Sequence, residues 1–370
     1  MFSIYIHIPF CRRKCPYCDF YSQTTSTGLE SYLAVLQNEL ELYATYFQGD
    51  VVSIYFGGGT PSLLNSVQVS SILDCIARLY SVASDCEITL ESNPEQASLG
   101  YYRALHDVGI NRLSIGVQSL DDRILKFLGR GHSARQALDA LTYAQKAGFE
   151  RLSADVIYGI PTLSTTTLET TLRALVGIEH ISAYHLTLEE STAFGRMHAR
   201  GKLEEVDEDT SIAHFQLCNT LLGDAGYEHY EISSFARNAA YSRHNMGYWF
   251  ARPYLGVGAA AHSYDGKRRW WNASNVQEYI ERVEAGACFH AQEMLNEEEQ
   301  WEEWLLTRLR TQWGLNLAEG EQRFGKERMR RLATKSRPLL QAQLLKQEAG
   351  QLYLPTEQFL VADEVIRELC

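Results

Sequence analysis

Three cysteines stand within the first twenty residues of the chain, in the segment IPFCRRKCPYCDF at residues 8–20. Cys11, Cys15 and Cys18 follow the spacing C-x3-C-x2-C, which lets three thiolates on one short loop converge on one point. A structural zinc ion normally takes four ligands, and a [4Fe–4S] cluster has four irons to ligate. Either a distant side chain such as His7 completes a zinc site, or one iron of a cluster stays open for chemistry.

The remaining cysteines form no repeating frame along the sequence. They are Cys75, Cys86, Cys218, Cys288 and Cys370. We expect them to be buried small side chains or surface thiols rather than disulfide partners, because clustered cysteines in a chain without an export signal are more often metal ligands. The first residues, MFSIYIHIPF, lack a basic segment and alternate like a strand, so they predict a strand and not a signal peptide. A reducing cytoplasm is therefore the expected compartment.

The composition predicts an ordinary soluble protein, and the length suits one large α/β domain plus a small one. The chain has 370 residues, of which 45% are hydrophobic and 22% are charged. Its formal net charge of −12 argues against broad binding to nucleic acid, which requires positive surface. No apolar run reaches the ~20 residues that a membrane-spanning helix needs.

Six short β-branched segments must position the cysteine loop, because they alternate with helical patterns over the first half of the chain. They lie near residues 4, 53, 88, 114, 155 and 184. Strands that alternate with helices predict a parallel sheet, which binds ligands at the carboxyl ends of its strands. Chemistry-bearing residues stand at the ends of these strands. Strand one runs into the cysteine loop, strand two ends in GGGTP at residues 57–61, strands three and four end with Glu91 and Gln118, and strand five carries Asp155. We expect them to face one mouth.

The pattern changes after the sixth strand, which divides the chain into three predicted regions. Residues 1–194 form the core, residues 195–290 contain an aromatic, glycine-dotted extension, and residues 291–370 form a small helical domain with a β-like GQLYLP segment. Winged helices often bind DNA, but this last region carries 14 acidic and 11 basic residues. Its composition favours a lid or packing domain.

Several motifs in order resemble one family. CRRKCPYC is similar to the cysteine signature of radical S-adenosylmethionine (SAM) proteins, and GGGTPS, ESNPE, SIGVQS and HNMGYW follow it. The chain resembles the oxygen-independent coproporphyrinogen III oxidase-like branch over nearly its whole length, and most closely the haem chaperones of that branch. The resemblance implies an incomplete (βα)6 TIM-like barrel with a small, mainly helical, winged-helix-like C-terminal domain. It also implies a [4Fe–4S] cluster on Cys11, Cys15 and Cys18, whose fourth iron binds SAM and whose electron can cleave SAM to a 5′-deoxyadenosyl radical.

The resemblance also implies which residues contact SAM. They are Tyr5, Tyr17, Gly58, Gly59, Thr60, Glu91, Gln118, Arg130 and Asp155. The types suit the ligand, because a guanidinium such as Arg130 can pair bidentately with a carboxylate. A carboxylate such as Glu91 can accept from an ammonium group or from ribose hydroxyls. Without the resemblance, Glu91 and Asp155 would be read as structural carboxylates at strand ends.

A second group of residues implies haem as a ligand. The segment RHNMGYW matches the H-N-x-x-Y-W motif of the haem chaperone branch, so His244, Asn245, Tyr248 and Trp249 are its haem-binding candidates. Histidine can ligate iron and aromatic rings can cover a porphyrin. The alternative is a core histidine beside two packed aromatic rings. His262 in GAAAHS is a weaker candidate, which we expect to line the SAM cavity.

The departures from the decarboxylating enzyme favour a chaperone. That enzyme has a fourth loop cysteine, C-x3-C-x2-C-x-C, whereas Asp19 and Phe20 follow Cys18 here, and the chain starts almost on its first strand. We therefore expect haem transfer to haemoproteins, among them respiratory-chain proteins, from a cytoplasmic protein that contacts the membrane peripherally during delivery. A homodimer is left open. The alternative is radical decarboxylation of porphyrinogen propionates, and nucleic-acid binding by the tail is the third hypothesis.

Overall fold

The computed structural model describes residues 1–25, 27–287 and 289–370. In chain order the strands are β1 (Phe2–Ile8), β2 (Val51–Gly58), β3 (Val82–Ser92), β4 (Arg112–Gln118), β5 (Arg151–Tyr158), β6 (His180–His185), β7 (Glu228–Glu231), β8 (Ser234–Ala236), β9 (Tyr254–Val257), β10 (His262–Tyr264), β11 (Arg268–Trp271), β12 (Ala291–Met294), β13 (Leu315–Asn316), β14 (Lys346–Glu348) and β15 (Gln351–Tyr353). The helices are α1 (Leu29–Leu42), α2 (Ser66–Leu79), α3 (Leu99–Asp107), α4 (Asp122–Phe127), α5 (Ala134–Lys146), α6 (Thr165–Leu175), α7 (Ala193–His198), α8 (Glu208–Asp224), α9 (Arg243–Trp249), α10 (Val276–Glu284), α11 (Glu297–Arg308), α12 (Leu317–Gln341) and α13 (Ala362–Leu369).

The predicted succession of six βα units is confirmed. Strands β1 to β6 lie side by side in chain order and each neighbouring pair is parallel. Strand β9 returns to pair in parallel with the free side of β1, and β10 to β12 extend the sheet from there in antiparallel fashion. Strands β8 and β7 extend the other edge beyond β6.

The sheet is open, as the incomplete barrel requires. Its order is β12-β11-β10-β9-β1-β2-β3-β4-β5-β6-β8-β7, and across the described ranges the two edge strands β12 and β7 do not pair with each other. Strand β1 is buried at six of its seven positions. The polar Ser3 and His7 are buried as well as the apolar positions, because parallel strands are covered on both faces. The N-terminal residues therefore form a central strand that places the cysteine loop at the carboxyl edge.

Local sequence signals set the ends of the core helices. A capping box starts α2 at Asn65 and Gln68, and another starts α5 at Ser133 and Gln136. Helix α5 ends before Gly148, whose φ of +101° is a left-handed conformation that glycine adopts without strain. The predicted transition from helix through glycine to strand β5 is confirmed.

The C-terminal region is mainly helical and carries a small sheet. Strands β13, β15 and β14 form a three-stranded antiparallel sheet beside α11, α12 and α13. Helix α12 consists of two helical segments that meet at Gly325, where φ is +81°. Trp301 and Trp304 are buried and pack their rings against Phe324, with centroids 5.2 and 5.4 Å away. The winged-helix-like prediction is consistent with this arrangement, and the boundaries at residues 194 and 290 stay predictions.

The scattered cysteines are placed as small buried groups or surface thiols. Cys75, Cys86 and Cys218 are buried, Cys370 is exposed, and all are free thiols. Cys288 lies outside the described residues. Among the residues that the structure describes, no helix is long and apolar enough to cross a membrane.

Candidate functional site

Two neighbouring cavities open at the carboxyl edge of the parallel strands. The first cavity has a volume of about 440 Å³ and is lined by eight of the nine predicted SAM residues together with Cys18. These residues are Tyr17, Gly58, Gly59, Thr60, Glu91, Gln118, Arg130 and Asp155. The second cavity has a volume of about 600 Å³ and is lined by histidines and tyrosines, among them His244, Tyr248 and His262. The six strands thus bring the predicted residues of the core to one mouth.

The cysteine loop is held against the end of β2. Cys11, Cys15 and Cys18 are half-buried, and the N–H of Cys18 donates to the carbonyl of Cys15 at 3.2 Å. The hydroxyl of Thr60 donates to the sulfur of Cys11 at 3.4 Å. A Cβ on Gly59 would lie 3.0 Å from that sulfur and 2.8 Å from the carbonyl oxygen of Ile8. Residue 59 must therefore be glycine for the loop to approach the strand this closely.

Gly57 and Gly58 likewise allow side chains of β1 to pack closely against the backbone of β2. A Cβ on Gly57 would lie 2.9 Å from the ring of Tyr5, and one on Gly58 would lie 2.5 Å from the ring of His7. The φ of Gly58 is +105°, which other residues adopt only with strain. The glycine triplet therefore packs two strands and the cysteine loop together, in addition to any approach to a ligand.

His7 is not available as a fourth ligand for zinc. Its Nδ1 lies 3.1 Å from the hydroxyl of Tyr5 and its Nε2 lies 3.0 Å from the carbonyl oxygen of Tyr21. Burial lowers the pKa of His7 to about 4, so both nitrogens of a neutral ring are in use. Within the described ranges, no group of three or more His, Cys, Asp and Glu side chains is arranged to hold one metal ion.

Arg130 links the cavity wall to the cysteine loop. Its Nη2 donates to the side-chain oxygen of Asn93 and to the carbonyl of Gly116, the latter at 3.0 Å. Its Nη1 lies 3.8 Å from the sulfur of Cys15. Asn93 in turn donates to Thr60 at 3.2 Å. A chain of contacts therefore runs from Arg130 through Asn93 and Thr60 to the sulfur of Cys11.

Two carboxylates line the first cavity together with Arg130. Glu91 accepts a hydrogen bond from the hydroxyl of Tyr55 at 2.9 Å, and burial raises its pKa to about 7. Asp155 accepts from the hydroxyl of Ser114 at 3.0 and 3.1 Å, and burial raises its pKa as well. Both groups would gain from a cationic or hydrogen-bond-donating ligand, because such a partner stabilises the ionised form.

Unpartnered polar atoms show that the first cavity suits a polar ligand. The Nε of Arg130 and the Oε1 of Gln118 are buried and make no hydrogen bond in the part of the chain described. Gln118 has a φ of +63°, a conformation that non-glycine residues rarely adopt. A guanidinium donor, an amide acceptor and two carboxylates match the carboxylate, ammonium and hydroxyl groups of SAM. Cys18 lines the same cavity, so the residues present fit SAM. Within the described ranges the three cysteines are not arranged around one metal position, and a cluster on them stays a prediction.

The second cavity is built around aromatic rings. Tyr55 and His244 stack with centroids 4.9 Å apart, while Tyr248 and Tyr254 meet edge to face at 4.7 Å. Tyr5 lines this second cavity rather than the first, and its hydroxyl contacts His7. Of the predicted SAM residues, Glu91 also lines the second cavity with Tyr5, and the role of Tyr5 stays a prediction.

His244 is buried and both of its ring nitrogens contact neighbouring hydroxyl groups. The side chain is 1% exposed, its Nδ1 lies 3.0 Å from the hydroxyl of Ser53 and its Nε2 lies 2.9 Å from the hydroxyl of Tyr248. Burial lowers its pKa to about 3. Asn245 and Tyr248 line the second cavity beside it. In this arrangement His244 positions Tyr248, and the motif contributes a cavity wall.

Trp249 serves the packing of the neighbouring strands. Burial raises the pKa of Glu231 to about 7, and the indole N–H of Trp249 is one of the hydrogen-bond donors that oppose the rise. Trp249 is half-buried and does not line the second cavity. Three of the four motif residues therefore meet in that cavity.

Sequence reasoning missed four contributors to the site. Asn93 and Gly116 hold the guanidinium of Arg130, while Tyr55 and Tyr184 line the cavities. Asn93 could have been found from the sequence, because it is a polar residue directly after the end of β3. Gly116 gave none: a Cβ there would lie 2.9 Å from the Nε2 of Gln118 and 3.0 Å from the Nη2 of Arg130, a constraint visible only in the fold.

Comparison with known proteins gives consistent similarities. The model of the radical SAM superfamily matches residues 5–175, and that of the HemN C-terminal domain matches residues 295–361. Heme chaperone HemW of Mycobacterium tuberculosis (strain ATCC 25618 / H37Rv) is 35% identical over 100% of this chain and 94% of its own length. Heme chaperone HemW of Bacillus subtilis (strain 168) is 32% identical over 99% and 98%. The solved structure of coproporphyrinogen III oxidase (HemN) from Escherichia coli superposes with a TM-score of 0.86 at 21% identity, over 100% of this chain and 89% of that one.

Proposed function

This chain belongs to the radical SAM superfamily, in the family of the proteins named Heme chaperone HemW, and from that premise we propose that it binds haem and passes it to haemoproteins. The observation that carries the proposal is the similarity at 35% and 32% identity, which covers at least 99% of this chain and at least 94% of each relative. The second cavity supports the proposal, because tyrosine and histidine rings in its lining can pack against a flat, mostly apolar ring system.

The first cavity is proposed to hold the two resident cofactors. Cys11, Cys15 and Cys18 would ligate three irons of a [4Fe–4S] cluster. Arg130 would pair with the SAM carboxylate, and Glu91 would accept from its ammonium or hydroxyl groups. When bound, the cluster supplies an electron that can cleave the sulfonium of SAM. The chain itself orients the ligand, because Asn93 and Gly116 fix the guanidinium before SAM arrives.

The alternative is a porphyrinogen-decarboxylating enzyme, which the findings favour less. The likeness to the solved coproporphyrinogen III oxidase is at 21% identity and supports the fold alone. The loop of this chain has Asp19 and Phe20 after Cys18, where the decarboxylating enzymes are expected to carry one more cysteine.

The finer properties of the chaperone are part of the proposal. Its acceptors would be haemoproteins, including those of a respiratory chain. Delivery would then take place at a membrane surface from a protein that resides in the cytoplasm. A homodimer would be compatible with this route.

The test is an anaerobic titration of the cluster-reconstituted protein with ferric haem, followed by absorbance. We expect saturable binding of haem and weaker binding of metal-free protoporphyrin IX, because the latter offers no iron. A parallel incubation with coproporphyrinogen III, SAM and a reductant should yield no decarboxylated product. Decarboxylation together with an absence of saturable haem binding would establish the alternative.

A further inference from the structure

We propose that His262 is the axial ligand of the haem iron, with the porphyrin lying in the second cavity. This inference rests on the proposed function and adds the iron-binding residue to it. Three histidines line that cavity, namely His7, His244 and His262, and they differ in whether a ring nitrogen is free.

His262 has its ring nitrogens free. It begins β10, its side chain is exposed to the cavity, and among the described residues no hydrogen bond engages its imidazole. The ring lies flat on the indole of Trp271, with centroids 5.6 Å apart and an interplanar angle of 22°. The stack restrains the plane of the imidazole, while its two nitrogens have no hydrogen-bond partner among the described residues.

The other two histidines are already committed to the protein. Both ring nitrogens of His7 contact Tyr5 and Tyr21, and both ring nitrogens of His244 contact Ser53 and Tyr248. Binding iron through either would break a hydrogen bond and leave a buried polar group unpaired, which is unfavourable.

The backbone under His262 is firmly held. His262 pairs with Trp271 across β10 and β11. The hydroxyl of Ser263 accepts from the N–H of Gly256 at 2.9 Å and donates to the carbonyl of Gly256 at 3.2 Å. A Cβ on Gly256 would lie 2.0 Å from the carbonyl oxygen of His262, so only glycine allows β10 to lie here. A ligand side chain mounted on a rigid strand is positioned before the ligand binds.

A network around Glu39 anchors the turn that leads into β10. Glu39 is fully buried and accepts hydrogen bonds from the N–H of Gly258 at 2.8 Å, from Asn272 at 2.7 Å and from Tyr279 at 2.7 Å. Asn272 also donates to the carbonyl of Gly258 at 2.9 Å. These hydrogen bonds hold the turn in place, and the turn positions β10, the strand that carries His262.

The surroundings of His262 suit coordination by a neutral imidazole. The partial burial of the ring and the nearby charge of Arg269 lower the pKa of His262 against the opposing charge of Glu293, so its ring is unprotonated near pH 7. Tyr248 and Tyr254 offer ring faces within the same cavity. The cavity volume of about 600 Å³ lies within the range of sites for ligands of cofactor size.

The experiment uses the full chain with its cluster reconstituted and ferric haem as the probe. Variants His262→Ala, His262→Met and His244→Ala are compared with the control His290→Ala, an exposed histidine outside the second cavity that contacts Glu278. Haem affinity is measured by absorbance titration, and the axial ligand by resonance Raman and electron paramagnetic resonance spectra. Thermal unfolding reports whether each variant is folded, and His262→Met carries the test where His262→Ala is unstable.

We expect the imidazole signature of the wild type to vanish in both His262 variants, with affinity reduced roughly tenfold or more in His262→Ala. Added imidazole should restore that signature in His262→Ala, while His290→Ala should match the wild type. Wild-type spectra in both His262 variants would overturn the assignment and leave the chaperone function intact. Failure of the wild type itself to bind haem would overturn the function, and this assignment with it.

Discussion

Individual side chains of the first cavity are held in place, yet within the described ranges some of their polar atoms lack a hydrogen-bond partner or a compensating charge. Arg130 is oriented by Asn93 and Gly116, yet its buried Nε has no partner among the described residues. Glu91 has a pKa of about 7 because burial disfavours its ionised form. A polar ligand that supplies the missing partners would be bound with little reorganisation of the protein, which lowers the entropic cost of binding.

Replacing Cys15 by Ala should abolish the iron–sulfur absorbance of the reconstituted protein. Two thiolates cannot hold a cluster that is expected to use three, and the scattered cysteines lie elsewhere in the fold. The matched control is Cys218→Ala, a buried thiol on α8. Normal iron and sulfide content in the Cys15 variant would contradict the assignment.

The affinity for SAM should rise with pH through the titration of Glu91. With a pKa of about 7, the carboxyl is mostly protonated at pH 6 and lacks the negative charge that attracts the ammonium of the ligand, whereas at pH 8 it is ionised. Binding should therefore be about tenfold tighter at pH 8 than at pH 6. The measurement is an anaerobic SAM titration at both pH values.

The Glu91→Gln variant tests the cause of this dependence. Its side chain does not titrate, so the dissociation constant should be nearly flat over the same range. A wild-type slope that survives in Glu91→Gln would assign the titration to another group, such as Asp155, which lines the same cavity.

At the scale of elements, what the sequence predicts depends on the length of the pattern. The six core strands are predicted because runs such as FSIYIHI are apolar, β-branched and bounded by turns. Strands β7 to β12 have only three or four residues each, too few for a recognisable pattern. The return of β9 to pair with β1 is a contact between residues about 250 apart, as in Ser3 and Tyr254. That pairing creates the second cavity, so its tyrosines could not be grouped from sequence alone.

The motif HNMGYW illustrates the same limit within one helix. Sequence reasoning groups four residues of α9, but helical geometry points them in different directions. His244 and Tyr248 are four residues apart and share a face, where their side chains are hydrogen-bonded at 2.9 Å. Trp249 lies one residue further round the helix and meets Glu231 instead.

Replacing Glu39 by Ala should weaken the attachment of α1 to the turn before β10. The N–H of Gly258 and the hydroxyl of Tyr279 would lose their acceptor in a buried place, which lowers the free energy of unfolding by about 2–4 kcal/mol. The measurement is a urea titration followed by circular dichroism.

The control for this variant lies on the same helix. Glu41 pairs with Arg78 at 2.8 Å on the surface, with half or more of each side chain exposed. Glu41→Ala should change the free energy of unfolding by less than about 1 kcal/mol. Equal effects of the two substitutions would show that the buried network is not what holds the turn.

At the scale of the whole molecule, the charge distribution decides which polymers the protein can meet. The net charge is −12. Helix α12 carries a run of basic residues, but acidic neighbours pair with several of them: Arg323 with Glu319, Arg328 with Glu298 and Arg331 with Glu327. The C-terminal region therefore lacks the excess of free positive charge that a winged helix needs to displace counterions from DNA.

The protein should not bind a random DNA duplex of about 30 base pairs, even at about 50 mM salt, where electrostatic binding is strongest. Fluorescence anisotropy of a labelled duplex measures this directly. A rise in anisotropy that weakens steeply between about 50 and 200 mM salt would restore nucleic-acid binding as a function of the tail.

The wall between the two cavities has a thermodynamic consequence. Asp19, Phe20, Glu91 and Tyr184 line both cavities, and the side chain of Phe20 is 65% exposed. A ligand in one cavity that rearranges the side chains of this wall changes the free energy of binding in the other cavity. Linkage requires that each ligand change the affinity for the other by the same factor. SAM would then be an effector of haem retention, and haem an effector of SAM retention. In that role SAM would govern when the cargo is released without any bond of SAM being broken.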